Sequence, residues 1–206
     1  MSLSELSSTP STGQATGQAV IVVSGLPRSG TSMLMHMLSA GGVPLVVDEL
    51  RAPDADNPKG YYEFTPVKSL NRPGDKAWVA DARGKAIKVI SFLLPHLPAE
   101  HGYKIIFIKR RLSEVLVSQK RMLERRGEAW DDISDEAMAG MFAAHLAKME
   151  DYLAARENCD VLYIDHREAL ETPAQVAADI NEFLGGWLDT AAMAAGVDGR
   201  LLRNRR

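Results

Sequence analysis

Ala19-Val20-Ile21-Val22-Val23-Ser24-Gly25-Leu26-Pro27-Arg28-Ser29-Gly30-Thr31-Ser32-Met33-Leu34 reads as a strand, a tight turn and the first turn of a helix. The run AVIVV is apolar and β-branched without alternation, the pattern of a strand buried on both faces, as in a parallel sheet covered by helices on each side. The strand ends at Ser24–Gly25. A helix opens near Gly30 and stops at Gly41–Gly42, where glycine tolerates a left-handed cap.

Outward from this unit, the same alternation continues. VPLVVD (43–48), AIKVI (86–90), YKIIFIK (103–109) and DVLYID (160–165) are strand candidates, and residues 49–85, rich in Pro, Gly, Asp and Asn, read as mostly irregular. LSEVLVSQKRMLERRG (112–127) predicts a helix with Ser113 as N-cap, Glu114 in the first turn and Gly127 at the stop. A long helix is expected from about Ser134 to Asn158, with Met138, Phe142, Leu146, Met149 and Leu153 on its apolar face, and another over 172–186 with Pro173 at its first position. Strands alternating with helices predict an α/β, three-layer fold: a central, mainly parallel sheet flanked by helices.

Composition bounds the function. The 206 residues, 46% hydrophobic and 25% charged, fit one globular α/β domain (19–206) after a polar tail, with little room for a separate acceptor domain. Residues 1–18 hold eight Ser/Thr, no Lys or Arg and no apolar core, so they read as a disordered tail rather than a targeting signal. The single Cys159 excludes an intramolecular disulfide and suggests a reduced, cytoplasmic setting. No apolar run reaches the roughly 18 residues of a membrane span, so no membrane partner is expected. A net charge of -3 argues against long nucleic acids. It leaves a compact polyanion open, because residues 103–126 carry eight Lys and Arg against two Glu, a local +6, and the last seven residues add four arginines.

The turn Gly25–Ser32 carries the chemistry. A Gly-rich turn between a buried strand and a helix points several backbone N–H groups into one concavity, and the helix N-terminus adds partial positive charge, so an anion is favoured. The glycine spacing is that of a P-loop, but a Walker A sequence places Lys after the second glycine, where this chain has Thr31. The cation sits instead inside the turn, as Arg28, whose planar fork suits phosphate or sulfate oxygens. The second constellation is Arg110-Arg111 at the end of a strand with Ser118 eight residues beyond Arg110. With a helix starting near Ser113, the Ser118 hydroxyl lies in its second turn, able to join a guanidinium on one phosphate.

Together these segments resemble the P-loop sulfotransferases that use 3′-phosphoadenosine-5′-phosphosulfate (PAPS). In that family a loop Pro-(Lys/Arg)-Ser-Gly-Thr-(Thr/Ser) holds the 5′-phosphosulfate and an Arg with Ser eight residues on holds the 3′-phosphate. Pro27, Arg28, Ser29, Gly30, Thr31 and Ser32 match the first, and Arg110 and Ser118 the second. The Arg form of the loop looks more like bacterial-type and tyrosylprotein sulfotransferases than the cytosolic class. VLYIDHREALETPAQVAADINEFLGG is similar to the family's later strand, turn and helix, so the resemblance runs from about Val20 to Gly186.

The resemblance implies sulfuryl transfer from PAPS to a hydroxyl or amine of a small-molecule or glycan acceptor, by in-line transfer without a metal. Lys88 matches the lysine of the cytosolic Lys-Thr-His strand, but the histidine position is Ile90. By likeness to the tyrosylprotein class the base is a carboxylate, Glu49 or its rival Glu63, and by likeness to the family's basic C-terminal segment Arg203 or Arg205 closes over the 3′-phosphate. Trp78, Tyr61 and Tyr62 are candidates to line an acceptor pocket. The five histidines, His36, His96, His101, His145 and His166, show no spacing of a relay and read as surface or packing residues. Two other readings stand beside this one. An ATP- and magnesium-dependent small-molecule kinase would need Asp165 as its metal-side aspartate, and a nucleotide-binding module without catalysis would keep only the loop.

Overall fold

The computed structural model describes residues 19–48, 60–128 and 133–197. Its centre is a four-stranded parallel sheet of β1 (Val20–Gly25), β2 (Ala86–Lys88), β3 (Tyr103–Lys109) and β4 (Cys159–Asp165), in the order β2-β1-β3-β4. The helices are α1 (Thr31–Ala40), α2 (Trp78–Asp81), α3 (Leu112–Arg126), α4 (Asp135–Ala154), α5 (His166–Glu171), α6 (Pro173–Phe183) and α7 (Thr190–Ala195). The expected α/β, three-layer arrangement is what forms.

Because side chains alternate across a strand, β1 feeds two cores at once. Ile21 and Val23 join Ile106, Ile108 and Ile164 under Leu34, Met37 and Leu38 of α1 and Val176 and Ile180 of α6. Val20 and Val22 join Ile105 and Phe107 on the other face, covered by Leu70, Val79, Leu94 and Leu153. All six residues of β1 are buried, which is why Val20–Val23 show no polar alternate, and Ser24 at its end is buried as well. Each fully buried Leu or Ile contributes about 1.5–3 kcal/mol.

The strand order locates the site. From β1 the chain crosses to β2 on one side and then returns past β1 to β3 on the other, so the crevice beyond the carboxyl ends of β1 and β3 is a topological switch point. Register holds that edge firmly, with Ser24 paired to Phe107 and Gly25 to Ile108. Both the Arg28 turn and the Arg110 segment leave the sheet there.

Several local expectations change. VPLVVD forms no full strand: only Leu45 bridges Ala86, with Val46 N–H donating to Ala86 O at 2.9 Å and Ala86 N–H to Pro44 O at 2.8 Å. Pro44 has no N–H with which to extend the ladder. Arg111, not Ser113, caps α3, and its side chain makes no capping hydrogen bond. The 134–158 helix ends at Ala154 and starts where expected, with Ser134 capping it by accepting from Ala137 N–H. The 172–186 helix ends at Phe183, with Pro173 in its first turn. Within 60–85, Thr65–Ser69 and Trp78–Asp81 form short helical turns. Short helices at 91–96, 166–171 and 190–195 went unpredicted.

Candidate functional site

The turn after β1 is held from within. The N–H and hydroxyl of Ser29 both donate to Leu26 O, at 3.1 and 2.7 Å, so this buried serine builds the turn. Gly25 is required for close approach: a Cβ there would lie 2.6 Å from Ile108 O of the adjacent strand. Gly30, at φ 110°, begins α1, and a Cβ on it would come within 2.7 Å of the His166 ring. No side chain caps α1, whose first bonds run from the N–H groups of Met33 and Leu34 to Gly30 O at 3.0 and 3.2 Å. Thr31 is buried and Pro27, Arg28 and Ser32 half-buried.

Arg28 takes φ 70°, a left-handed conformation rare for a side chain of this size. Such strain costs of order 1–3 kcal/mol and persists only where the surroundings over-determine it. Here they do: Arg28 Nε donates to Ser118 Oγ at 3.1 Å, and Arg110 Nη1 donates to Arg28 O at 3.1 Å. Arg110 is itself fixed by Nε donating to Glu114 Oε2 at 2.9 Å, one turn along α3. The two sequence constellations therefore meet in one network at the switch point, with Ser118 on the buried face of α3.

Behind this network lies His166, the first residue of α5, buried against Gly30. Burial, with the positive charge of Arg110, pushes its pKa down to about 4, outweighing Glu114 and Asp165, so the ring is neutral near pH 7. Asp165 spends its carboxylate on capping α5, accepting from Arg167 and Glu168 N–H at 2.7 and 3.2 Å. A capping role leaves it poorly suited to the metal-side aspartate of a kinase.

On the β2 side, Lys88 Nζ donates to Tyr61 O, which ties the 60–64 segment to the sheet edge. Glu63 is drawn in the same way: its carbonyl accepts from Asp48 N–H at 2.8 Å and its carboxylate pairs with Lys68 at 2.8 Å. Tyr62, also left-handed at φ 50°, bonds through its hydroxyl to His36 Nδ1 at 2.9 Å, and burial raises its pKa. Tyr61 is buried, and the half-buried Trp78 packs edge-on against Phe64 at 5.3 Å, at the edge of the core. Glu49, Arg203 and Arg205 lie outside the described residues.

Three histidines read as bystanders have partners. Besides His36 and His166, His145 of α4 shares a 2.9 Å hydrogen bond with the buried Ser91 and stacks on Phe92 at 3.8 Å. Burial and Lys148 lower its pKa. Phe92 also meets Phe142, which packs with Leu26 of the turn. Ser91 and His145 are 54 positions apart, so no local spacing could have shown the pair.

A parallel α/β sheet with a glycine-bounded, arginine-bearing turn at its switch point is a P-loop-type arrangement. The family model described as Sulfotransferase domain matches residues 18–197, and the chain belongs to that family. Similar solved structures include the sulfotransferase domain from the curacin biosynthetic pathway, at 16% identity and TM-score 0.53, covering 91% of this chain and 86% of that one. The sulfotransferase domain from the Synechococcus PCC 7002 olefin synthase has 16% identity and TM-score 0.52, covering 98% and 87%. Mouse sulfotransferase SULT7A1 complexed with PAP has 17% identity and TM-score 0.51, covering 93% and 68%. At such identities the likeness concerns the fold. A comparison with curated proteins gave no match. Among the described residues, no helix is long and apolar enough to cross a membrane.

Proposed function

We propose that this sulfotransferase moves a sulfuryl group from PAPS to a hydroxyl or amine of a small-molecule or glycan acceptor, leaving 3′,5′-ADP. The observation that carries the reading is the joining of Arg28, Arg110 and Ser118 in one network, since a nucleotide with phosphates at both ends needs two cationic subsites at one crevice. The 25–32 turn takes the 5′-phosphosulfate through its N–H groups and Arg28, while Arg110 and Ser118 take the 3′-phosphate. Arg203 adds to the latter.

In the reaction the acceptor oxygen forms a bond to sulfur as the sulfur–oxygen bond to the 5′-phosphate breaks. The electron pair goes to the bridging oxygen of departing 3′,5′-ADP, where Arg28, the loop N–H groups and Lys88 meet the developing charge. The acceptor's proton goes to a carboxylate, Glu49 or Glu63, a role typically contributing about 10²–10⁴-fold. Glu63 would first have to release Lys68. No magnesium is required, because a sulfuryl group carries less charge than a γ-phosphoryl group, and activity abolished by EDTA would contradict this. Retention on immobilised 3′,5′-ADP, with elution by PAPS and not by ATP, tests the donor; elution by ATP with magnesium would favour a kinase.

A further inference from the structure

Arg110 does two things at once in this fold. Its Nε is held by Glu114 at 2.9 Å and its Nη1 donates to the carbonyl of Arg28 at 3.1 Å. Among the described residues these are its hydrogen bonds, and they occupy two of the five N–H donors of a guanidinium, leaving three for an anion. Its side chain is only 10% exposed, so Glu114 holds the fork in place with little competition from solvent. The carbonyl it grips belongs to the one residue of the turn that adopts a left-handed conformation with a side chain, at φ 70°. That peptide sets where the Arg28 guanidinium and the following N–H groups point.

We propose that Glu114, acting through Arg110, is a positioning residue for the 5′-phosphosulfate turn. This rests on the PAPS reading above and deepens it: Arg110 links the two phosphate subsites, so grip on the 5′ end depends on a carboxylate that touches neither phosphate. Ser118 closes the circuit from the other side by receiving Arg28 Nε. A nucleotide's 3′-phosphate on Arg110 and its 5′-phosphate in the turn are thereby energetically coupled.

The test compares 3′,5′-ADP with 5′-AMP, which lacks the 3′-phosphate, on the full chain by calorimetry, with competition against 3′,5′-ADP for the weaker ligand. Glu114→Ala, at a half-buried helical site where alanine suits the backbone, is expected to weaken both nucleotides about tenfold or more, and Glu114→Gln, which keeps an acceptor for Nε, to restore part of the loss in both. An unchanged melting temperature would show that the loss is not unfolding. If Glu114→Ala weakens 3′,5′-ADP alone and leaves 5′-AMP unchanged, or weakens neither, the positioning role is overturned while the PAPS reading stands. If the wild-type chain binds neither nucleotide, the PAPS reading fails and this role with it.

Discussion

Arg28 Nε donates to Ser118 Oγ at 3.1 Å, across 90 positions of sequence. This contact turns two separate motifs into one site. Arg28→Ala is expected to lower the turnover of PAPS to 3′,5′-ADP by about 10²–10³-fold, the usual effect of removing one preorganised donor to developing charge. Ser118→Ala should act on binding, weakening 3′,5′-ADP by about tenfold with a smaller effect on turnover. Equal effects of the two substitutions on both quantities would separate them from these roles.

At position 28 the ordinary order of alanine and glycine should invert. With φ at 70°, Arg28→Gly is expected to be more stable than Arg28→Ala by about 1 kcal/mol, because glycine alone adopts that conformation without strain. Urea unfolding of the two variants, both lacking the guanidinium, isolates the backbone contribution. Alanine equal to or above glycine would mean that the turn carries no strain.

Gly30→Ala places a methyl group within 2.7 Å of His166 Cδ2 and 3.0 Å of Ile108 Cδ1, at φ 110°. A loss of roughly 2–4 kcal/mol is expected from overpacking and backbone strain together. Adding His166→Ala should recover part of it, since one clash disappears while the backbone strain remains. Strict additivity of the two losses in a double-mutant cycle would show that residues 30 and 166 do not press on each other.

His166 makes stability depend on pH. Its folded pKa, about 4, lies below the ordinary 6.5, so the unfolded chain binds the proton more tightly. The stabilisation is full above about pH 6.5 and is lost as pH falls toward 4, a change of about 3 kcal/mol over that window. Denaturation at pH 7.5 and pH 4.5 should show a smaller difference for His166→Gln than for the wild type. Parallel profiles would place the titration elsewhere.

Most of the framework was legible because its signals are local. AVIVVSG followed by a glycine turn gave both the buried strand and the loop, and the residues of YKIIFIK could satisfy only a buried strand. Ser134 and Pro173 marked helix starts through short-range chemistry. Ser113 misled because the strand exit bends at Arg111, placing the helix start two residues earlier. VPLVVD carried strand composition, yet proline and a single bridge to Ala86 limit its pairing. Within the site, the spacing of Arg110 and Ser118 was readable, but their meeting with Arg28 depends on the sheet order, which no local pattern encodes. The Ser91–His145 and Gly30–His166 contacts were hidden for the same reason.

The most direct test of the central claim follows sulfur-labelled PAPS incubated in EDTA with the chain and an extract of small molecules and glycans. The account predicts label transferred to an acceptor with equal formation of 3′,5′-ADP, and loss of both in Arg28→Ala. No transfer by the wild type under these conditions, alongside phosphoryl transfer from ATP once magnesium is added, would contradict it.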